Sequence, residues 1–268
     1  MTSSLLRRLW IAIPVVTGLG LAGWAQPAPP AAAPVAQAAP SAVAAPGAPV
    51  DASAPIAKKN NPRFQQLHEA FLRRGREAPM GLLFLGDSIT EGWFKAPAVW
   101  KQYYWKYVPA NFGIGGDTTQ NVVWRIENGE LDGIEPKVVV LMLGTNNVAS
   151  HTAAQIAAAD RKIVGMIRAR IPGVKVLLLA IFPRGPRKNT DGTMDDGVKR
   201  MQVIHDVNRE LSGMDDGRNI RYLDFGAKFL GADGAIPMSI MPDQLHPSAD
   251  GYRIWAEAMQ PLLDEMMR

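Results

Sequence analysis

Residues 138–143 read Val-Val-Val-Leu-Met-Leu, with no polar side chain on either face. A strand of that kind must be covered on both sides. A parallel sheet flanked by helices does this; an antiparallel sheet with one wet face does not. Four other short runs read as strands: residues 82–85, 108–112, 174–181 (apolar but for Lys175) and 220–223. Helical patterns separate them. Phe64, Leu67, Phe71 and Leu72 fall on one helical face of 62–75, and Ile156, Ile163, Val164 and Ile167 on one face of 153–170. Further helices are expected over 119–128, 195–214 and 249–267. The alternation predicts an α/β fold, a three-layer α/β/α sandwich around a five-stranded parallel sheet.

That alternation occupies only the later part of the 268 residues. Residues 1–25 read as an export signal. Arg7 and Arg8 supply the positive start, Leu9 to Leu21 the apolar stretch, and Gly23-Trp24-Ala25 the small residues before a cut after Ala25. The stretch is shorter than the roughly 20 residues of a spanning helix, and Pro14, Gly18 and Gly20 weaken it. The rival reading is an uncleaved anchor, the one route by which this chain would meet a membrane. Residues 26–57 hold 14 Ala and 8 Pro, one charge and no aromatic, too little large apolar surface to offset the entropy of ordering. They are expected to be a disordered linker, either a tether or a passive spacer. The catalytic body is then 58–268, and the protein is expected to be exported, periplasmic or extracellular.

Composition narrows the chemistry. No cysteine is present, which excludes disulfides, thiol catalysis and thiolate metal sites. With only four histidines no His-rich metal centre is expected, and neither a metal nor a cofactor. The net charge is +4 and no long Lys/Arg run occurs, so nucleic acid is not an expected partner.

Ligands of open parallel sheets sit beyond the carboxyl ends of the strands, so the residues that follow each strand carry the functional signal. After the first comes Gly86-Asp87-Ser88-Ile89-Thr90. A serine there has its hydroxyl at the active edge and its N–H near a helix N-terminus, the position of a nucleophile; it can equally be a plain helix cap. The Gly-x-Ser-x-Gly elbow of the α/β-hydrolases is absent. After the second comes Gly113-Ile114-Gly115-Gly116-Asp117, whose N–H groups can face an anion. Its spacing is not Gly-x-Gly-x-x-Gly, which argues against a dinucleotide site. After the third comes Gly144-Thr145-Asn146-Asn147. An amide here can donate to an oxyanion, or simply close a turn. Before the last helix comes Asp243-Gln244-Leu245-His246-Pro247, a base and its orienting carboxylate on one loop, or an Asx turn beside an exposed histidine.

In this order and at these strand ends, the four blocks resemble the SGNH or GDSL hydrolases. The matching positions are Ser88, Gly116, Asn146 and His246, with Asp243 completing a triad. Residues 111–131, Asn111-Phe-Gly-Ile-Gly-Gly-Asp-Thr-Thr-Gln and onward to Leu131, are most similar to the catalytic subunits of intracellular platelet-activating-factor acetylhydrolases, as is Glu135-Pro136-Lys137 leading to Asn146. The resemblance covers about 80–255 and implies a flavodoxin-like sandwich. It also implies a serine esterase acting through an acyl-serine, with Ser88, Asp243 and His246 catalytic. Ser88, Gly116 and Asn146 would form the oxyanion hole. The export signal shifts the expected substrate toward short-chain acetyl O-esters of carbohydrate, a small molecule or a polysaccharide. Lysophospholipase or thioesterase action is the enzymatic alternative, and a non-catalytic carbohydrate-binding protein the other.

The remaining polar residues have plainer readings. His151 follows the Asn block and is a candidate substrate-binding residue, against an ordinary loop position. His205 reads as a helix-surface or packing residue, and His68 lies far upstream. Asp87 and Asp117 read as structural hydrogen-bonding groups. Trp93, Phe94, Trp100, Tyr103, Tyr104 and Trp105 suggest core and rim packing more than a sugar platform.

Overall fold

The computed structural model describes residues 51–188 and 192–268. The expected signal over 1–25 and the linker up to residue 50 lie outside the described residues. Five parallel strands form the sheet: β1 (Leu82–Gly86), β2 (Pro109–Gly113), β3 (Val138–Met142), β4 (Lys175–Leu179) and β7 (Ile220–Leu223). Their order is β2-β1-β3-β4-β7, which is the flavodoxin-like order of the five strands.

Alternate side chains of each strand enter two cores. Leu83, Leu85, Phe112, Val139, Leu141, Val176 and Leu178 pack under α1 (Pro62–Glu77), α4 (Thr119–Glu127), α5 (Ala153–Arg170) and α6 (Val198–Ser212). Leu82, Phe84, Val138, Val140, Met142, Leu177 and Leu179 pack under α3 (Pro97–Tyr104) and α7 (Ala249–Met266). Burying one such side chain contributes roughly 1.5–3 kcal/mol, so a sheet apolar on both faces is stable only as the middle layer. The expected helices lie within a few residues of the observed ones.

Three features depart from the sequence reading. Residues 92–107 are helical, a 3₁₀ turn (Gly92–Lys95), α3 and a second 3₁₀ turn (Trp105–Tyr107). A small antiparallel pair, β5 (Arg187–Lys188) and β6 (Met194–Asp195), reaches residue 195, where the helix expected over 195–214 was to begin. The linker boundary also moves. Residues 51–57 are hydrogen-bonded to the body: Thr119 Oγ1 donates to the Ala52 carbonyl at 2.6 Å, Ile56 N–H to the Gln120 carbonyl at 3.1 Å, and Asn121 Nδ2 to the Ile56 carbonyl at 2.8 Å. Ala52 is fully buried. Composition saw only small side chains here, whereas the attachment is made by backbone groups.

The aromatic group after Ser88 is mostly core. Trp93 and Tyr104 are buried, Trp93 and Trp255 ring centroids are 5.0 Å apart, and Phe182 meets Trp255 edge-on at 5.0 Å. Phe94 and Trp105 are exposed.

Candidate active site

Gly86 ends β1, and Asp87 caps the short helix α2 (Ser88–Glu91) by accepting the Ile89 N–H at 2.9 Å. Ser88 is therefore the first helical residue, not the cap. Its hydroxyl is half-buried at the sheet edge. A methyl at Gly86 would overlap Thr90 Oγ1 and the Met142 carbonyl, so only glycine lets the chain turn this tightly.

His246 comes from the loop before α7. Asp243 Oδ1 accepts the N–H groups of Leu245 (3.1 Å) and His246 (2.8 Å), which folds the loop around the carboxylate. Ser248 caps α7, and Tyr252 one turn on donates to the Ile89 carbonyl at 2.6 Å. The histidine loop is thus tied to the serine turn across 163 residues. Ser88 Oγ lies 2.8 Å from His246 Nε2, and His246 Nδ1 lies 2.6 Å from Asp243 Oδ2. With Nδ1–H donating to the carboxylate, Nε2 is left to accept the serine proton. Partial burial works against the Asp243 charge. The His246 backbone and ring hydrogen bonds, then the His246 and Arg187 charges, outweigh it and hold the carboxyl below its usual range.

Three candidate donors follow the carboxyl ends of β1, β2 and β3. Among the described residues, the Ser88 and Gly116 backbone N–H groups have no protein acceptor. Gly116 sits at φ +70°, in the left-handed region that favours glycine. Asn146 Nδ2 donates one hydrogen to the Asp117 carbonyl at 2.9 Å and keeps its second. Asn147 stays behind, accepting the Thr119 N–H at 3.0 Å and donating to Gln120 Oε1 at 2.9 Å.

A chain of buried charges supports that edge. Asp117 is fully buried between Lys58 Nζ (2.7 Å) and Arg125 Nε (2.9 Å). Lys58 also donates to the Gly115 carbonyl at 3.0 Å. Arg125, fully buried, pairs with Glu130 and donates to the carbonyls of Phe112 (3.0 Å) and Gly86 (3.2 Å). Glu130 reaches His68 Nδ1 at 3.1 Å. Burial raises the Asp117 carboxyl against the pull of Arg125 and Lys58. Burial likewise pushes Asp87 up to about 7, opposed by the Ile89 N–H and reinforced by the Asp117 charge.

Of the expected residues, Ser88, His246 and Asp243 are in direct hydrogen-bond contact, and Asn146 is tied to the carbonyl of Asp117, next to Gly116. His151 Nε2 lies 3.1 Å from Gln120 Nε2 and its Nδ1 2.9 Å from Ser150 Oγ. Asp87 and Asp117 have the structural roles expected of them. Lys58 and Arg125 were missed: Lys58 acts through Asp117, 59 positions away, and Arg125 through a buried ion-pair chain that has no motif. Among the described residues, no group of three or more His, Asp or Glu is placed to hold a metal ion.

A model of the GDSL-like lipase/acylhydrolase family matches residues 84–254. The rat platelet-activating factor acetylhydrolase IB subunit alpha1 is 35% identical over 201 residues, covering 75% of this chain and 82% of that protein. Among solved structures, a GDSL-like lipase from Bacteroides thetaiotaomicron superposes with a TM-score of 0.58 at 19% identity, over 74% of this chain and 97% of that one. A carbohydrate acetylesterase family member from Sinorhizobium meliloti gives 0.54 at 16% identity, over 69% and 98%. At such identities the two structures show the shared fold alone. The chain belongs to the GDSL-like lipase/acylhydrolase family and is an ester hydrolase.

Proposed function

We propose that this protein is a serine esterase that removes acetyl and other short acyl groups from acetylated carbohydrate outside the cytoplasm. The observation that carries the catalytic part is the 2.8 Å and 2.6 Å relay from Ser88 through His246 to Asp243. Ser88 Oγ attacks the ester carbonyl as its proton passes to His246 Nε2. The carbonyl oxygen becomes an oxyanion held by the Ser88 and Gly116 N–H groups and the free hydrogen of Asn146. The intermediate collapses, His246 returns the proton to the leaving oxygen, and an acyl-serine remains. Water then attacks with His246 as base, and the acid leaves. Removing one such donor costs about 10²–10³ in turnover.

The acetyl preference is supported by the acetylhydrolase names of the relatives. The carbohydrate side rests on the export signal read over 1–25. The same relatives favour a second reading, an acetylated glycerophospholipid as substrate. Acetate release from acetylated xylan, acetylated peptidoglycan and an acetyl-phospholipid, each against a Ser88→Ala control, separates the two. Release from the polysaccharides alone supports the first reading, and release from the lipid alone replaces it. Fractionation of cells expressing the full chain tests the location.

A further inference from the structure

A cavity of about 920 Å³ opens beside the histidine loop, between α6, the residues that follow β4 and the loop after β7. It is distinct from the Ser88 site but adjoins it, since Gln244, next to Asp243, forms part of its wall. Much of the lining is apolar: Ile181, Pro183, Met201, Ile204, Leu230 and Ile236.

One cation stands in that wall. Arg184 is only 8% exposed. Its Nη1 donates to the Thr145 carbonyl at 3.2 Å, the residue before Asn146. Its Nε is buried and, among the described residues, has no acceptor. The Nε–Nη2 edge of a guanidinium is the one that grips a carboxylate or phosphate with two parallel hydrogen bonds. A buried charge left in this condition is unfavourable unless a counter-charge arrives. Burial and the nearby Arg200 and Arg187 bring Arg184 down to about 10, against the opposing pull of the Asp195 and Asp243 charges. The carboxylates in the wall are turned to their own backbone: Asp224 accepts the Gly226 N–H at 2.8 Å and Asp196 the Val198 N–H at 3.0 Å.

We propose that the Arg184 cavity binds an oxyanion group, carboxylate or phosphate, carried by the ester substrate. The inference rests on the esterase reading of Ser88 and deepens it. β1 and β4 are two strand spacings apart, about 10 Å. The anion therefore lies some distance along the substrate from the scissile carbonyl, with apolar substrate body against Met201 and Leu230.

The test uses acetyl esters of 6-hydroxyhexanoate, of 6-hydroxyhexyl phosphate and, as the neutral control, of 6-hydroxyhexanamide. The expected kcat/KM for the better anion exceeds that of the amide about tenfold, the scale of a charge-assisted bidentate pair. Whichever anion leads identifies carboxylate or phosphate as the group recognised. Arg184→Met, which removes the cation, and Ala235→Trp, which places an indole in the cavity wall, both bring the ratio to about one. A wild-type ratio near one overturns the proposal, as does a ratio that survives either substitution. Calorimetric titration of hexanoate and inorganic phosphate, against hexanamide, reads the cavity without turnover. Failure to hydrolyse p-nitrophenyl acetate would remove the esterase reading. Binding of an anion that is lost in Arg184→Met would still support the cavity, and absence of binding would overturn it.

Discussion

Lys58 Nζ sits 2.7 Å from Asp117 Oδ1 and 3.0 Å from the Gly115 carbonyl, so a residue at the end of an Ala/Pro-rich stretch braces the turn that presents the Gly116 N–H. Asp117 in turn holds Asn146 through its carbonyl. Two of the three proposed oxyanion donors thus lean on one lysine. Lys58→Ala is expected to lower kcat about tenfold, a fraction of the loss for a deleted donor, with KM little changed. Lys58→Arg should recover most of it. Steady-state kinetics on p-nitrophenyl acetate measure both, and an unchanged kcat in Lys58→Ala would remove the brace from the account.

Arg125 is the centre of the buried charge chain; among the described residues, its loss leaves Asp117 with Lys58 alone and Glu130 with only the His68 ring. Breaking a buried pair from one side costs about 3–5 kcal/mol. Arg125→Met is expected to lower Tm by roughly 10 °C, at about 2–4 °C per kcal/mol for a domain of this size. Thermal melts followed by circular dichroism check it.

Asn146→Ala should fold and melt like the parent, since it removes one half-buried hydrogen bond. Its kcat should fall by about 10²–10³. A loss below about threefold would mean that the second amide hydrogen does not meet the oxyanion.

Asp160 is buried in α5, and among the described residues neither carboxylate oxygen has a hydrogen-bond partner. Burial, with the Asp87 charge adding to it, raises its carboxyl well above the ordinary value of 3.8. The folded state therefore keeps a proton that the unfolded chain releases. Stability from this group is present below the unfolded value and declines by about 1.4 kcal/mol per pH unit as pH rises toward the folded value. Asp87 adds a decline of the same sign that ends near its raised value of about 7. Asp160→Leu is expected to raise Tm by several degrees at pH 8 and by much less at pH 4. Equal effects at both pH values would contradict the buried, proton-holding carboxyl.

The sheet was legible because its strands are short runs with almost no polar residue, and the site because its blocks follow those strands directly. Ser88 and His246 are separated by 158 residues, yet each sits at a strand-end or loop position that the topology brings to one edge. What escaped reading had no periodic or motif signal. β5 and β6 have two residues each, below any pattern. The attachment of residues 51–57 is made by the carbonyls and N–H of Ala52 and Ile56, which composition does not encode. Lys58 and Arg184 matter through Asp117 and Thr145, partners 59 and 39 positions away. A lone basic residue in a loop carries no mark of such a partner.

The central claim is that Ser88 is the hydroxyl His246 activates, and active-site labelling reads it most directly. The intact protein is treated with a fluorophosphonate, and peptides are mapped by mass spectrometry. The expected result is one adduct, on the peptide containing Ser88, absent in Ser88→Ala and slowed by orders of magnitude in His246→Ala. An adduct on another residue, or equal labelling of the His246→Ala protein, would contradict it.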